Sequence, residues 1–364
     1  MEYFKKYVSN TLAGSSNQLF FENEDEAVCT GRVYYKVFQG ELLEYSLLFS
    51  NIIDSTYAEG KESHCNLLCD EWTILSLKAG KVSCCSIEEA CEPETFTEIT
   101  FGGKCEKQVM PGEFFATDGF VMDILSGEYL CLEMTFKGQR IPYHEEIKIP
   151  VFVQEEGTWV PSPKLPVPGM VGCRREVSLK IGFWGDSITQ GVGTTPNAYA
   201  HWNALVAEGI GKQYSYWNLG IGYGRAQDMA SGGSWFFKAG QMDVIVLCAG
   251  INDIGRRPEN KAIKKDLKHV IDTLHAQNIK VIIQTMPPFY EEENEKSCRW
   301  LELNDYIRTE LSQVADGFFD VAPLLGKDPE RPYLHGYGAH PNDQGSAIWA
   351  EGLTEYLQKW LEDR

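Results

Sequence analysis

The chain has 364 residues, 43% of them hydrophobic and 23% charged, with a formal net charge of -19. Chains of this length divide as a rule into two domains, each with its own core. So acidic a surface repels phosphate backbones and anionic lipid head groups, which argues against nucleic acid or a membrane surface as partner and leaves a neutral substrate open.

The opening segment Met1–Asn10 carries Lys5 and Lys6, but no apolar stretch follows them, so it does not read as a signal peptide. No uninterrupted apolar run reaches membrane-spanning length. A cytoplasmic protein is the expectation. Eleven cysteines are present, an odd number, and free thiols in a reducing compartment are the simpler reading. His64, Cys65, Cys69, Cys84 and Cys85 cluster in sequence, but their spacing matches no pair of CxxC knuckles. They are expected to act as small buried residues rather than as a zinc site.

From Gly31 to about Gln154 the pattern is short β-rich runs broken by turn residues. Arg32–Phe38 and Glu44–Phe49 are two. Trp72–Leu77 is a third, followed by a predicted turn at Lys78–Lys81. Phe96–Phe101, Phe114–Met122, Tyr129–Phe136 and Glu146–Val153 complete the set. Strands at this spacing predict a β-sandwich over residues 1–160. Pro161, Pro163, Pro166 and Pro168 then mark 161–176 as a linker or a strap.

From Val177 to Arg364 apolar strands alternate with amphipathic helices. The strand candidates are Val177–Trp184, Tyr216–Ile221, Val244–Cys248, Val281–Thr285 and Phe318–Val321, short runs suited to burial on both faces of a parallel sheet. Ile263, Leu267, Val270, Ile271 and Leu274 mark one helix face, and Trp349, Leu353, Tyr356, Leu357 and Trp360 another. This alternation predicts a three-layer α/β/α domain, whose chemistry sits outside the carboxyl ends of the strands.

Four segments at those ends carry chemistry. Gly185-Asp186-Ser187-Ile188-Thr189 leaves the first strand and offers a hydroxyl with free backbone N–H groups beside it; a plain serine helix cap would look similar. Asn218-Leu219-Gly220-Ile221-Gly222-Tyr223-Gly224 follows the second strand as a glycine turn. Gly250-Ile251-Asn252-Asp253 follows the third, with a side-chain amide able to donate to an oxyanion. Gly338-Ala339-His340-Pro341-Asn342 precedes the last helix, and histidine is the usual base for a serine. Trp184 and Trp202 are candidate apolar walls for a sugar, or else core residues.

Taken in order, Ser, Gly, Asn and His resemble the SGNH hydrolases, also called GDSL-like lipases and acylhydrolases, over about Val177–Arg364. The resemblance implies a flavodoxin-like fold and ester hydrolysis through a covalent acyl-serine, with no metal and no cofactor. Ser187 would be the nucleophile and His340 its general base. The Ser187 N–H, a backbone N–H at Gly222 or Tyr223, and the Asn252 side chain would form the oxyanion hole. Trp184, Tyr223 and Tyr337 would line the substrate site. Phe49-Ser50-Asn51, Phe101-Gly102-Gly103 and Met110-Pro111-Gly112-Glu113 further resemble pieces of the jelly-roll-like β-sandwich preceding some bacterial SGNH esterases, among them sugar and xylan deacetylases and an acyltransferase. That implies an acylated small molecule or oligosaccharide as partner, the acyl group being acetyl.

The sequence departs from the family at Tyr337, where most members carry an aspartate three residues before the histidine. Three outcomes stay open: a Ser–His dyad, a carboxylate from elsewhere such as Asp343 or Asp328, or a non-catalytic carbohydrate-binding protein. Acyl transfer would use the same residues as hydrolysis.

Overall fold

The computed structural model describes residues 1–23, 26–58, 62–288, 295–326 and 334–363, with backbone alone at 58 and 335–337. The chain forms two compact units, residues 1–177 with 215–217 and residues 178–214 with 218–364.

The first unit is rich in strands. Glu41–Ser50 pairs with Met170–Cys173 on one edge and with Phe114–Ala116 and Phe120–Ile124 on the other, and Val8–Ser9 pairs with Met170–Cys173. A second, seven-stranded sheet runs in the order Thr158–Pro161, Val151–Glu155, Cys29–Lys36, Tyr129–Gly138, Trp72–Val82, Thr97–Glu98, with Lys107–Val109 also on Trp72–Val82. Tyr34, Tyr45, Phe49, Trp72 and Phe136 are among the largest fully buried side chains. Removing each from water stabilises the unit by roughly 2–3 kcal/mol.

Two expectations for this unit need correction. Lys78–Lys81 is no turn: it continues the strand, pairing with Leu130–Glu133. Gly80 belongs there because a Cβ would lie 2.6 Å from the Pro93 side chain, so only glycine lets the following loop lie on the strand. The proline-rich stretch 161–176 is not a free linker either. Leu165, Val167, Met170 and Val171 are buried, and Met170–Cys173 is an interior strand. Its apolar side chains outweigh the helix- and strand-breaking effect of the prolines before it.

In the second unit the sheet strands are β1 (Lys180–Gly185), β2 (Ser215–Gly220), β3 (Val244–Cys248), β4 (Lys280–Gln284) and β5 (Gly317–Phe319). They lie in the order β2-β1-β3-β4-β5, with β1, β3, β4 and β5 mutually parallel. This order has its topological switch between β1 and β3, beside which ligand crevices form. β3 is buried at every position, as a strand covered on both faces must be. The helix Asn260–His275 buries Ile263, Leu267, Val270, Ile271 and Leu274, the stripe its sequence period specifies. No described helix is long and apolar enough to cross a membrane.

Candidate active site

β1 ends at Gly185, and the chain turns at once into the short helix Ser187–Gln190. The turn is tight: a Cβ on Gly185 would meet Thr189 Oγ1 at 2.1 Å and the Cys248 carbonyl oxygen at 2.4 Å. Asp186 caps the helix by accepting the Ile188 N–H at 3.0 Å, and Gly191 ends it in the left-handed region. Ser187 is thereby held at the first helical position, 8% exposed.

His340 arrives from the far end of the sequence, in the short strand His340–Pro341 just before the last helix Asp343–Glu362. Asn342 caps that helix by accepting the Gly345 N–H at 2.9 Å, which fixes where the chain enters it. The loop after Ser187 passes His340 at Gly193, whose φ is +97 and whose missing Cβ would lie 3.0 Å from His340 Cβ. The result is a hydrogen bond of 2.7 Å between Ser187 Oγ and His340 Nε2. That is the contact a base needs to take the hydroxyl proton.

Asn252 lies in the helix Ile251–Ile254, which starts at Gly250 with φ +118. Its Nδ2 donates to the Gly224 carbonyl at 3.1 Å, so it faces the glycine turn after β2. An amide carries two N–H groups, and one bond leaves the second for a ligand. In the turn itself, Gly224 N–H donates to the Ile221 carbonyl at 3.1 Å, and Tyr223 adopts φ +61. A non-glycine residue in that region costs about 1–2 kcal/mol, a strain typical of functional turns. The guanidinium of Arg256 lies 5.5 Å from the Tyr223 ring centroid and donates to the Asn252 carbonyl at 3.1 Å.

Three further residues hold these segments in place. Asp253, fully buried, accepts the Ala226 N–H at 2.8 Å and so ties the Asn252 helix to the segment after the glycine turn. Asn203 donates to the Thr189 carbonyl and accepts from Asn218 Nδ2 at 3.2 Å, while Asn218 Oδ1 accepts the Gly220 N–H at 2.9 Å. This chain links the Ser187 helix to the end of β2. Asn218 and Asp253 lie in segments that the sequence marks; Asn203, in the helix Trp202–Ile210, reads as an ordinary helix residue.

Burial dominates the titration of the carboxyls here. Asp186 is pushed up to about 7, chiefly by desolvation, with the charge of Asp253 adding to it. Asp253 is raised to about 6, again mainly by burial.

The candidates for a third member of the triad fall as follows. Asp343 accepts from the Thr195 N–H at 2.7 Å and from the Thr195 hydroxyl at 2.6 Å. Asp328 lies outside the described residues, as does the side chain of Tyr337, whose backbone pairs with His340. Trp184 corrects an expectation. It is 0% exposed, edge-on to Trp235 at 5.5 Å and to Phe236 at 5.8 Å. Trp202 is likewise buried, stacked on Trp349 at 4.6 Å. Both are core: Trp184 stands on a buried strand and Trp202 opens the helix Trp202–Ile210, and each packs inward instead of facing a ligand. Among the described residues, no group of three or more His, Cys, Asp or Glu side chains is placed to hold a metal.

Residues 183–348 match the model of the GDSL-like Lipase/Acylhydrolase family. The segment 183–348 is therefore a domain of that family, and the chain is a hydrolase. Its structure is similar to a member of the lipolytic protein G-D-S-L family from Veillonella parvula DSM 2008. The identity is 20%, over 48% of this chain and 96% of that one, with a TM-score of 0.43. It is also similar to an aryl esterase from M. smegmatis, at 16% identity over 50% of this chain and 99% of that one, TM-score 0.40. A third similar structure is an acetyl-xylooligosaccharide esterase variant from Geobacillus stearmophilus, at 17% identity over 50% and 94%, TM-score 0.43. No curated protein matches the chain.

Proposed function

We propose that the protein is a serine esterase that removes short acyl groups, acetyl above all, from a carbohydrate. The observation that carries this reading is the 2.7 Å bond between Ser187 Oγ and His340 Nε2. His340 takes the Ser187 proton as Oγ bonds to the ester carbonyl carbon. The charge that develops on the carbonyl oxygen is received by the Ser187 N–H, by an N–H at Gly222 or Tyr223, and by the second N–H of Asn252. Collapse breaks the bond to the sugar oxygen, which leaves with the proton from His340. Water, deprotonated by His340, then attacks the acyl-serine and releases the acid, returning the proton to Oγ.

We take the pair to work as a dyad. Asp343 is already engaged by the Thr195 N–H and hydroxyl, which supports this over a triad completed from that position. The resemblance of the first half to the β-sandwich of two-domain deacetylases directs the reading to carbohydrate. The strand order of the second unit supports a flavodoxin-like three-layer architecture, and the two strand-rich sheets of the first support a sandwich. Eleven free cysteines support a cytoplasmic setting.

The test is turnover of p-nitrophenyl acetate, butyrate and octanoate by the protein and by Ser187→Ala. The expected result is hydrolysis fastest on acetate and absent from the variant. Turnover that survives the substitution, or none on any ester, would remove the reading; in the second case a non-catalytic binding protein takes its place.

A further inference from the structure

We propose that the first unit carries a second, non-catalytic binding site, for the hydroxyl groups of a neutral oligosaccharide. The site is a cavity of about 390 Å³ formed by the end of the strand Trp72–Val82, by Glu128 and by the loop 83–95 that follows the strand. That volume lies within the usual range of small-ligand pockets, roughly 300–1,000 Å³.

The carrying observation is how the wall residue Glu92 is held. Its side chain is 69% exposed, yet both its oxygens are bound by a guanidinium that is only 5% exposed. Arg32 Nη1 donates to one oxygen at 2.5 Å and Nη2 to the other at 3.0 Å. The same guanidinium donates to Glu133 at 2.8 and 2.6 Å and lies over the Trp159 ring at 4.3 Å and the Phe96 ring at 5.4 Å. The loop is pinned beside it, because the Tyr34 hydroxyl donates to the Cys91 carbonyl at 2.6 Å. Burying a charged group costs several kcal/mol unless every donor is matched. A loop that needed only anchoring could be held by apolar contacts at no such cost. A bidentate clamp does more: it fixes the plane of the Glu92 carboxylate at the cavity wall. Each of those oxygens keeps a further lone pair, and two oxygens in a fixed plane can accept from two neighbouring hydroxyls.

The rest of the lining selects the ligand class. Lys81 lies 3.6 Å from Glu128, so its charge is matched within the cavity. Glu92 and Glu94 leave the wall rich in acceptors, which disfavours an anion. Ser83 and Thr95 supply hydroxyls, and Val82 an apolar surface. Acceptors, hydroxyls and an apolar patch together suit a ring with a hydroxyl edge and a C–H face.

The experiment is calorimetric titration of the full chain with xylohexaose, cellohexaose and mannohexaose, with spermidine as a cationic control. Saturable binding of at least one oligosaccharide is expected. Glu94→Ala combined with Thr95→Ala, which leaves the Arg32 clamp intact, should weaken it at least tenfold. Glu92→Gln should do the same, and p-nitrophenyl acetate turnover should not change in either variant. The proposal is overturned if no oligosaccharide binds or if spermidine alone binds. It is equally overturned if binding persists in the loop variants and disappears once Ser187 is phosphonylated, since the sugar would then occupy the catalytic cleft. Ester turnover, read separately, decides the esterase reading whatever the titration gives.

Discussion

Each unit uses a buried charged side chain to hold a loop, and the two behave in opposite ways. In the second unit Asp253, 0% exposed, holds the segment after the glycine turn, and Asp186, 2% exposed, holds the Ser187 helix. Burial pushes both carboxyls toward neutrality at ordinary pH. In the first unit Arg32 holds the Cys91–Glu92 loop, and two glutamates keep it firmly charged. What differs is how closely a partner of opposite sign approaches: Arg257 stands 3.8 Å from Asp253, whereas both glutamates lie within 3.0 Å of Arg32. Asp186 and Asp253 are met mostly by backbone N–H groups, which return less than full solvation would. Arg32 is met by carboxylates. The catalytic unit should therefore respond to pH, and the clamp of the first unit should not.

The largest expected effect lies at the reacting atoms. His340→Ala should lower kcat for p-nitrophenyl acetate by about 10⁴-fold or more, the scale of losing the base in a serine hydrolase, with the fold intact by circular dichroism. A loss under tenfold would separate the Ser187–His340 contact from catalysis.

Next comes the pH contrast. A carboxyl raised from 3.8 to about 7 in the fold keeps its proton where the unfolded chain has lost it. Its contribution to stability is whole below about pH 4 and is lost as pH rises to about 7. Three pKa units correspond to at most about 4 kcal/mol. Asp186→Asn keeps an oxygen for the Ile188 N–H, so urea unfolding should show a flatter pH dependence and greater stability at pH 8. A variant less stable than the parent at pH 8 would show that the ionised carboxylate is well accommodated.

Arg32→Met should destabilise the first unit by about 3 kcal/mol, because Glu133, 14% exposed, is left with the more distant Lys78 at 3.4 Å. The loss should be the same at pH 6 and pH 8. A pH-dependent loss would erase the contrast between the units.

The smallest effect sharpens the dyad. Asp343→Asn should change kcat/KM by less than about threefold, since the carboxylate serves Thr195. A fall of 10³-fold or more would make Asp343 the missing orienting group.

What the chain disclosed in advance follows the same division. Ser187, Asn252 and His340 each sit in a short segment whose glycines and polar residues have no better local explanation, so they stand out one motif at a time. The strands of the second unit are legible because burial on both faces leaves a continuous apolar run, and β3 begins and ends where its run does. Trp184 was ambiguous for that very reason: inside such a run, a core residue and a pocket wall look alike. Asn203 was hidden because its partner at Thr189 is a backbone group that leaves no compositional trace, and the contact of Asp253 with Ala226, though Asp253 lies in a marked segment, was illegible for the same reason. In the first unit the pairing of Met170–Cys173 with Glu41–Ser50 spans more than a hundred residues, and prolines mask the strand. The clamp of Arg32 on Glu92 is likewise non-local.

The most direct test of the central claim is intact mass and peptide mapping after mixing with diethyl p-nitrophenyl phosphate, a probe that phosphorylates an activated serine. One adduct per chain, on the peptide carrying Ser187 and strongly slowed by His340→Ala, is the predicted result. No adduct, or an adduct on another residue, would contradict it.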